Sequence, residues 1–284
     1  MSPPSPAAAA GSPPAPPGPP KNPLGSAEPW DLIAEAYAAD MLPLFELFAA
    51  DALELAGITP GAKVLDVATG PGTLALMAAS RGAKVTAIDF SPAMIQQLQA
   101  RVGRAGTPVE VHTGDGQRLM FASDHFDRAF SMFGLMFFPD RGAGFRELHR
   151  VLAPGGRAVV GSWAPFTGAF AQMLESLAAH MPGPPAGSMP LSDAQGFAVE
   201  LAQAGFADVT VKPVTHKMTL PSAEAFWTTV QRSTAPVVLL RRKLGEAAWA
   251  PISAAVQADL ERRLGKAAVE DEVTAYLGTG VKAD

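Results

Sequence analysis

Between residues 63 and 101 the chain twice repeats one unit: a short β-rich apolar run, a turn of small residues, then a helical pattern. The runs cover 63–67 and 84–88, and the helical patterns cover 73–80 and 92–101. A parallel strand pair cannot be closed by a tight hairpin, because the chain must return through a crossover of a dozen or more residues. This alternation therefore predicts βαβ units around a parallel sheet, an α/β Rossmann-like class. Further strands are expected at 109–112, 126–131, 158–162, 209–211 and 272–277, with helices at 142–152 and 193–204. Upstream, Met41, Leu44, Phe45, Phe48 and Leu55 follow helical spacing and stop at Gly57. Pro29, Trp30, Ile33 and Tyr37 suggest a shorter helix before it. Ser91 followed by Pro92 makes a helix entrance, since the hydroxyl caps free amides and proline is tolerated where no amide partner exists.

The 284 residues are 48% hydrophobic, enough for a substantial core. With no cysteine, thiolate nucleophiles, zinc ribbons and iron–sulfur ligation are excluded. A net charge of −5 argues against a nucleic-acid partner. Ten of the first 27 residues are proline, so 1–27 reads as a disordered Pro/Ala-rich leader. The four alanines fenced by prolines there do not make a secretory signal. No uninterrupted apolar run approaches the roughly 18 residues of a membrane span. A cytoplasmic protein without membrane contact is expected. Residues 222–267 carry helical stripes and seven Lys or Arg against four Asp or Glu, which sets them apart from the α/β pattern.

The chemistry concentrates in 64–75, Val-Leu-Asp-Val-Ala-Thr-Gly-Pro-Gly-Thr-Leu-Ala. Small residues after a strand let backbone approach a ligand, and the following helix aims free amides and its positive dipole end at it. Asp89 closes the next strand, where an acid can accept from ribose hydroxyls. Gly70-x-Gly72-x-x-Ala75 with an acid further on also satisfies the dinucleotide fingerprint, so a nicotinamide-dependent oxidoreductase is one reading. Against it, Asp66 sits at the strand end and Ala68 takes the first small position, an arrangement suited to a ligand with an ammonium group.

With these motifs the chain resembles the class I S-adenosylmethionine-dependent methyltransferases, especially the small-molecule branch that includes the ubiquinone and menaquinone C-methyltransferases. The resemblance is strong over residues 30–163. It implies a seven-stranded sheet of order 3-2-1-4-5-7-6 with the seventh strand antiparallel. The domain would comprise 28–221 and 268–284, with 222–267 as a helical lid. It further implies that Asp66, Ala68, Gly70, Pro71 and Gly72 bind the methionine part of S-adenosylmethionine and Asp89 the ribose. Phe90, next to Asp89, would also contact the cofactor, Met94 would flank the adenine, and Gly114, Asp115, Gly116 and Gln117 would meet its edge. Ser131 and Met132 would face the sulfonium, and Tyr37 would close over the cofactor. Arg150 to Gly156 resembles the family's structural turn into strand five.

The acceptor is expected to be a small, largely apolar molecule, quinone-like, phenolic or a specialised metabolite. The run Phe133-Gly134-Leu135-Met136-Phe137-Phe138-Pro139-Asp140 would form one wall of its pocket, with Phe133 and Met136 as contacts. Arg232 and Arg241 are candidates for an anionic group on it. None of the five histidines falls in a motif that marks a general base, and no metal set is read. A protein that holds the cofactor without transferring its methyl group is the other rival.

Overall fold

The computed structural model describes residues 22–181 and 189–283. Among them, seven strands form one sheet: β1 (Lys63–Val67), β2 (Lys84–Asp89), β3 (Val109–Thr113), β4 (Phe126–Met132), β5 (Leu152–Trp163), β6 (Ala207–Leu220) and β7 (Val269–Val281). Their order is β3-β2-β1-β4-β5-β7-β6, with β7 antiparallel to both its neighbours and the remaining pairs parallel. Strand order reverses between β1 and β4. Their carboxyl ends therefore diverge into helices on opposite faces and leave a crevice, the usual ligand position in open α/β sheets.

The helices are α1 (Glu28–Asp40), α2 (Leu42–Ala56), α3 (Thr73–Ser80), α4 (Pro92–Ala105), α5 (Arg141–Val151), α6 (Gly168–Ala179), α7 (Ala194–Gln203), α8 (Ala223–Ser233), α9 (Ala235–Leu244) and α10 (Glu246–Leu264). On one sheet face Leu65, Ile88 and Val160 pack with Leu148 of α5 and Phe197 of α7. On the other, Val64, Val85 and Phe130 pack with Leu53 of α2 and Leu74 of α3. Gly57, at φ 63°, ends α2 in the left-handed conformation where the sequence places its stop. Ser91 Oγ caps α4 by accepting from Met94 N at 3.1 Å.

Expected and observed elements differ where tertiary pairing overrides local pattern. β6 runs for 14 residues instead of the three expected, because its register with β7 extends from Ala207 to Leu220 through the pattern-breaking Lys212 and Pro213. As an edge strand, it tolerates a proline amide. β5 starts at Leu152, so Pro154-Gly155-Gly156 sits in a register shift within the strand. Helix α6, absent from the sequence reading, is anchored by Ala169 N donating to Asp271 Oδ2 at 3.0 Å. Residues 1–21 of the expected leader lie outside the described residues. Residues 22–27, assigned to the same leader, instead include a 3-10 turn, Pro23–Gly25. Asn22 pins it: Oδ1 accepts from Leu24 N, and Nδ2 donates to Phe137 O at 3.1 Å.

The 222–267 segment forms α8, α9 and α10 between β6 and β7. Trp227, Trp249, Val256 and Leu260 make its own apolar centre, shared with Ala169 and Met173 of α6.

Gly72 starts α3 at φ 78°, and a Cβ there would run into Leu98 Cδ1 of α4. Gly72→Ala combines left-handed strain with overpacking, so unfolding in urea should show a loss of about 2–4 kcal/mol.

Candidate active site

The loop after β1 is built from left-handed residues: Ala68 at φ 56°, Gly70 at 55° and Gly72 at 78°. Together with the loop after β3, it is tied to the end of β2 by three hydrogen bonds. Thr69 N donates to Ile88 O, Gly70 N to Asp89 Oδ2 at 2.8 Å, and Gly114 N to Asp89 O at 2.9 Å. The other Asp89 oxygen accepts from Ser91 N at 2.9 Å. Asp66 lies beneath the loop, where it accepts from Thr69 Oγ1 at 2.6 Å.

Both carboxyls are almost out of water, Asp66 at 2% and Asp89 at 5% exposure. Burial pushes Asp66 up to about 7; the Thr69 hydroxyl and the Ala75 amide oppose the rise, while the Asp89 charge adds to it. Burial likewise pushes Asp89 up to about 6, against the amides of Ser91, Gly70 and Phe90 and with a contribution from Asp31. The ligand-free fold thus holds two carboxyls that resist ionisation. Groups that donate hydrogen bonds or carry positive charge would favour their charged forms.

Above them lies a cleft enclosing about 660 Å³, open solvent at its mouth included. Its lining brings together Tyr37, Ala68, Gly70, Asp89, Phe90 and Met94 with Gly114, Asp115, Gly116 and Gln117, and with Met132 and Phe133 at the end of β4. Asp115 is turned onto its neighbour, with Oδ1 accepting from Gln117 N at 2.8 Å and from Gln117 Nε2 at 3.0 Å. Gln117 Oε1 in turn accepts from Asp140 N.

Seven expected site residues are not in the lining. Asp66 is covered by its loop, Pro71 O accepts from Arg101, and Gly72 faces α4. Ser131 is buried, with Oγ accepting from Leu135 N at 3.2 Å. Met136 is turned inward: the 3-10 turn Leu135–Phe137 rotates it into the core, where Ser162 Oγ donates to its sulfur. Arg232 and Arg241 also stand away from the lining. Arg232 forks onto Asp40 of α1 and Arg241 onto Glu246 at 2.7 Å, so each cation meets a carboxylate on the surface.

The lining also includes residues outside the expected site set: Leu24, Gly25, Trp30, Gly134, Phe137 and Phe138, with Pro139. Trp30, Phe137 and Phe138 lie in segments the sequence already singled out. Leu24 and Gly25 follow a proline-rich run that gives no sign of order. Phe133 holds φ 60°, a conformation costing a non-glycine residue roughly 1–3 kcal/mol. Gly134 beside it faces Ala68 so closely that a Cβ would strike the Ala68 methyl.

Residues 64–156 match a methyltransferase domain family. The chain is 32% identical over 253 residues to an uncharacterized protein of Mycobacterium tuberculosis, covering 88% of this chain and 85% of that one. It is 34% identical over 164 residues to demethylmenaquinone methyltransferase of Streptomyces avermitilis, covering 54% of this chain and 69% of the relative. The chain belongs to the class I S-adenosylmethionine-dependent methyltransferases. Solved structures share this methyltransferase fold. Haemonchus contortus phosphoethanolamine N-methyltransferase 2, in complex with phosphomonomethylethanolamine and S-adenosylhomocysteine, superposes with TM-score 0.52 at 18% identity, over 83% of this chain and 52% of that chain. The [4+2]-cyclase SpnF superposes with TM-score 0.53 at 19% identity, over 84% and 80%.

One residue of this methyltransferase had no sequence signal. Asp31 of α1 reaches the start of α4, where its Oδ1 accepts from Ser91 Oγ at 2.6 Å and from Ala93 N at 3.1 Å. It thereby seats α1, which carries Trp30 and Tyr37, beside the Asp89 loop. Asp31→Ala should lose about 1 kcal/mol of stability and raise the dissociation rate of S-adenosylhomocysteine in stopped-flow fluorescence.

The raised carboxyls set a pH dependence. The folded chain holds protons that the unfolded chain releases, so their contribution to stability is full below about pH 4 and is lost as pH rises through about 6 and 7. Cofactor binding should ionise them. Calorimetry at pH 6.5 in buffers of different ionisation enthalpy should show net proton release on S-adenosylhomocysteine binding, and none at pH 8.5.

Proposed function

We propose that the cleft binds S-adenosylmethionine along its length and directs methyl transfer to a small, largely apolar acceptor in the cytoplasm. The observation that carries this reading is the Asp89 carboxyl, 5% exposed, lining a cleft whose other end is apolar. The donor set fits a sulfonium nucleoside. An acid suited to a ribose diol stands beside the small-residue loop Ala68–Gly72, which accommodates an amino-acid moiety, with the Asp66 charge under that loop. Phe90, Met94 and the Gly114–Gln117 turn suit a flat purine. Met132 and Phe133 lie at the end left for the sulfonium and the acceptor.

Held by Asp89 and the Ala68–Gly72 loop, the cofactor would supply an electrophilic methyl for the acceptor's electron pair, with the carbon–sulfur pair leaving on sulfur and any displaced acceptor proton passing to water at the cleft mouth. The chain's part is positioning. Holding the partners in line and dry can contribute up to about 7–11 kcal/mol to lowering a barrier. Met132, Phe133, Gly134 and Phe137 exclude water there. Tyr37 stacks on Phe45 at 5.3 Å, and burial together with the Asp89 charge pushes its hydroxyl pKa up, so it stays a donor. Among the described residues no histidine lines the cleft, which favours acceptors that bring their own nucleophile. Helices α8–α10 act as a lid through α1, since none of their residues lines the cleft.

A cofactor holder without transferase activity remains a second reading, because a [4+2]-cyclase shares the fold. Transfer of labelled methyl from S-adenosylmethionine to cell-extract acceptors separates the two. Asp89→Ala removes charge-assisted hydrogen bonds worth about 1.5–3 kcal/mol, so calorimetry should show S-adenosylhomocysteine affinity falling about 10- to 150-fold. Unchanged affinity removes the ribose assignment.

A further inference from the structure

Helix α4 follows the small-residue loop along one of its faces. Met94, Leu98 and Arg101 stand four and three positions apart, so they share that face, and each meets a different loop residue. A Cβ on Gly70 would lie 4.0 Å from Met94 Sδ, and one on Gly72 would strike Leu98 Cδ1. Further along, Arg101 Nη1 donates to Pro71 O at 2.7 Å. Its Nη2 stands 4.0 Å from Glu46 Oε1 of α2, beyond hydrogen-bond length, so the short contact of this guanidinium goes to a backbone carbonyl. Proline has no amide, so the carbonyl is all that the buried Pro71 brings to backbone hydrogen bonding. A side chain from the next helix satisfies it.

The loop therefore has ties of two kinds. On the cleft side, Gly70 N donates to Asp89 Oδ2 at 2.8 Å, and Asp89 itself lines the cleft. A ribose diol engaging Asp89 would compete for that oxygen. On the far side, neither Pro71 nor Arg101 lines the cleft, so a ligand there leaves their bond intact. Pro71 lies between two left-handed residues, Gly70 at φ 55° and Gly72 at φ 78°. A donor fixed on its carbonyl sets the peptide plane that joins Pro71 to Gly72, and with it the entry into α3.

We propose that Arg101 is a positioning residue for the amino-acid end of the cofactor: its bond to Pro71 O keeps the Ala68–Gly72 loop in binding shape while the ligand engages Asp89. This rests on the reading of that loop as the seat of the amino-acid moiety. Arg101 acts through the loop, from a helix face outside the cleft.

Two ligands separate the ends of the cleft. S-adenosylhomocysteine carries the amino-acid moiety and 5′-deoxy-5′-methylthioadenosine lacks it, while both carry adenine, ribose and a thioether. In calorimetry on the full chain, Arg101→Gln should weaken S-adenosylhomocysteine about tenfold and leave methylthioadenosine within about twofold of wild type. Arg101→Lys keeps a cationic donor for a single carbonyl and should fall between, with a loss of about threefold for S-adenosylhomocysteine. The ratio of the two affinities is the readout, because a general loosening of the fold would weaken both ligands alike. Equal weakening of both, or an unchanged ratio, would overturn the proposal. Should Arg101→Gln fail to fold, the ratio in Arg101→Lys decides in the same way. A wild-type chain that binds both ligands equally would instead remove the reading of the loop as the amino-acid seat, and one that binds neither would remove the cofactor reading of the cleft.

Discussion

A single buried carboxylate joins the pieces of this active site. Asp89 holds the β1 loop through the Gly70 amide and its own helix entrance through the Ser91 amide, while its carbonyl receives Gly114 from the third loop. Three loops that are distant in sequence thus share one anchor at the carboxyl ends of β1, β2 and β3.

Holding two acids in this state opposes stability. Burial raises both Asp66 and Asp89, so at neutral pH the ligand-free fold carries carboxyls whose charge is poorly compensated. Such strain is typical of sites made to receive a positively charged or donor-rich partner. The left-handed Ala68 and Phe133, both in the cleft lining, add backbone strain there. The packed sheet faces on either side supply the offsetting burial.

Helix α1 lies between this anchor and helices α8 and α9. Asp31 fastens one side of it to α4. Asp40 and Glu28 meet Arg232 of α8 and Arg242 of α9 on the other. Exposed ion pairs of this kind contribute at most about 1 kcal/mol each. The firmer link is apolar, with Ala235 and Val238 of α9 against Ile33, Ala34 and Trp30. Arg232 and Arg242 therefore brace α1.

The alternating apolar runs determined the strand–helix order, and the small-residue loop with its two acids marked the carboxyl ends of β1 and β2, because both depend on local spacing that the backbone must obey. Strand and helix limits such as 63–67 and 73–80 were legible for that reason. Tertiary structure alone decided the rest. Met136 and Phe137 are adjacent in an equally apolar run, yet one 3-10 turn sends the first into the core and leaves the second on the cleft. Arg232 found Asp40, 192 residues away, and Leu24 and Gly25 joined the cleft through Asn22 bonding a carbonyl 115 residues on. Contacts between distant residues have no period in sequence; which side of a turn faces ligand is fixed only when the packed elements leave it a single place to go.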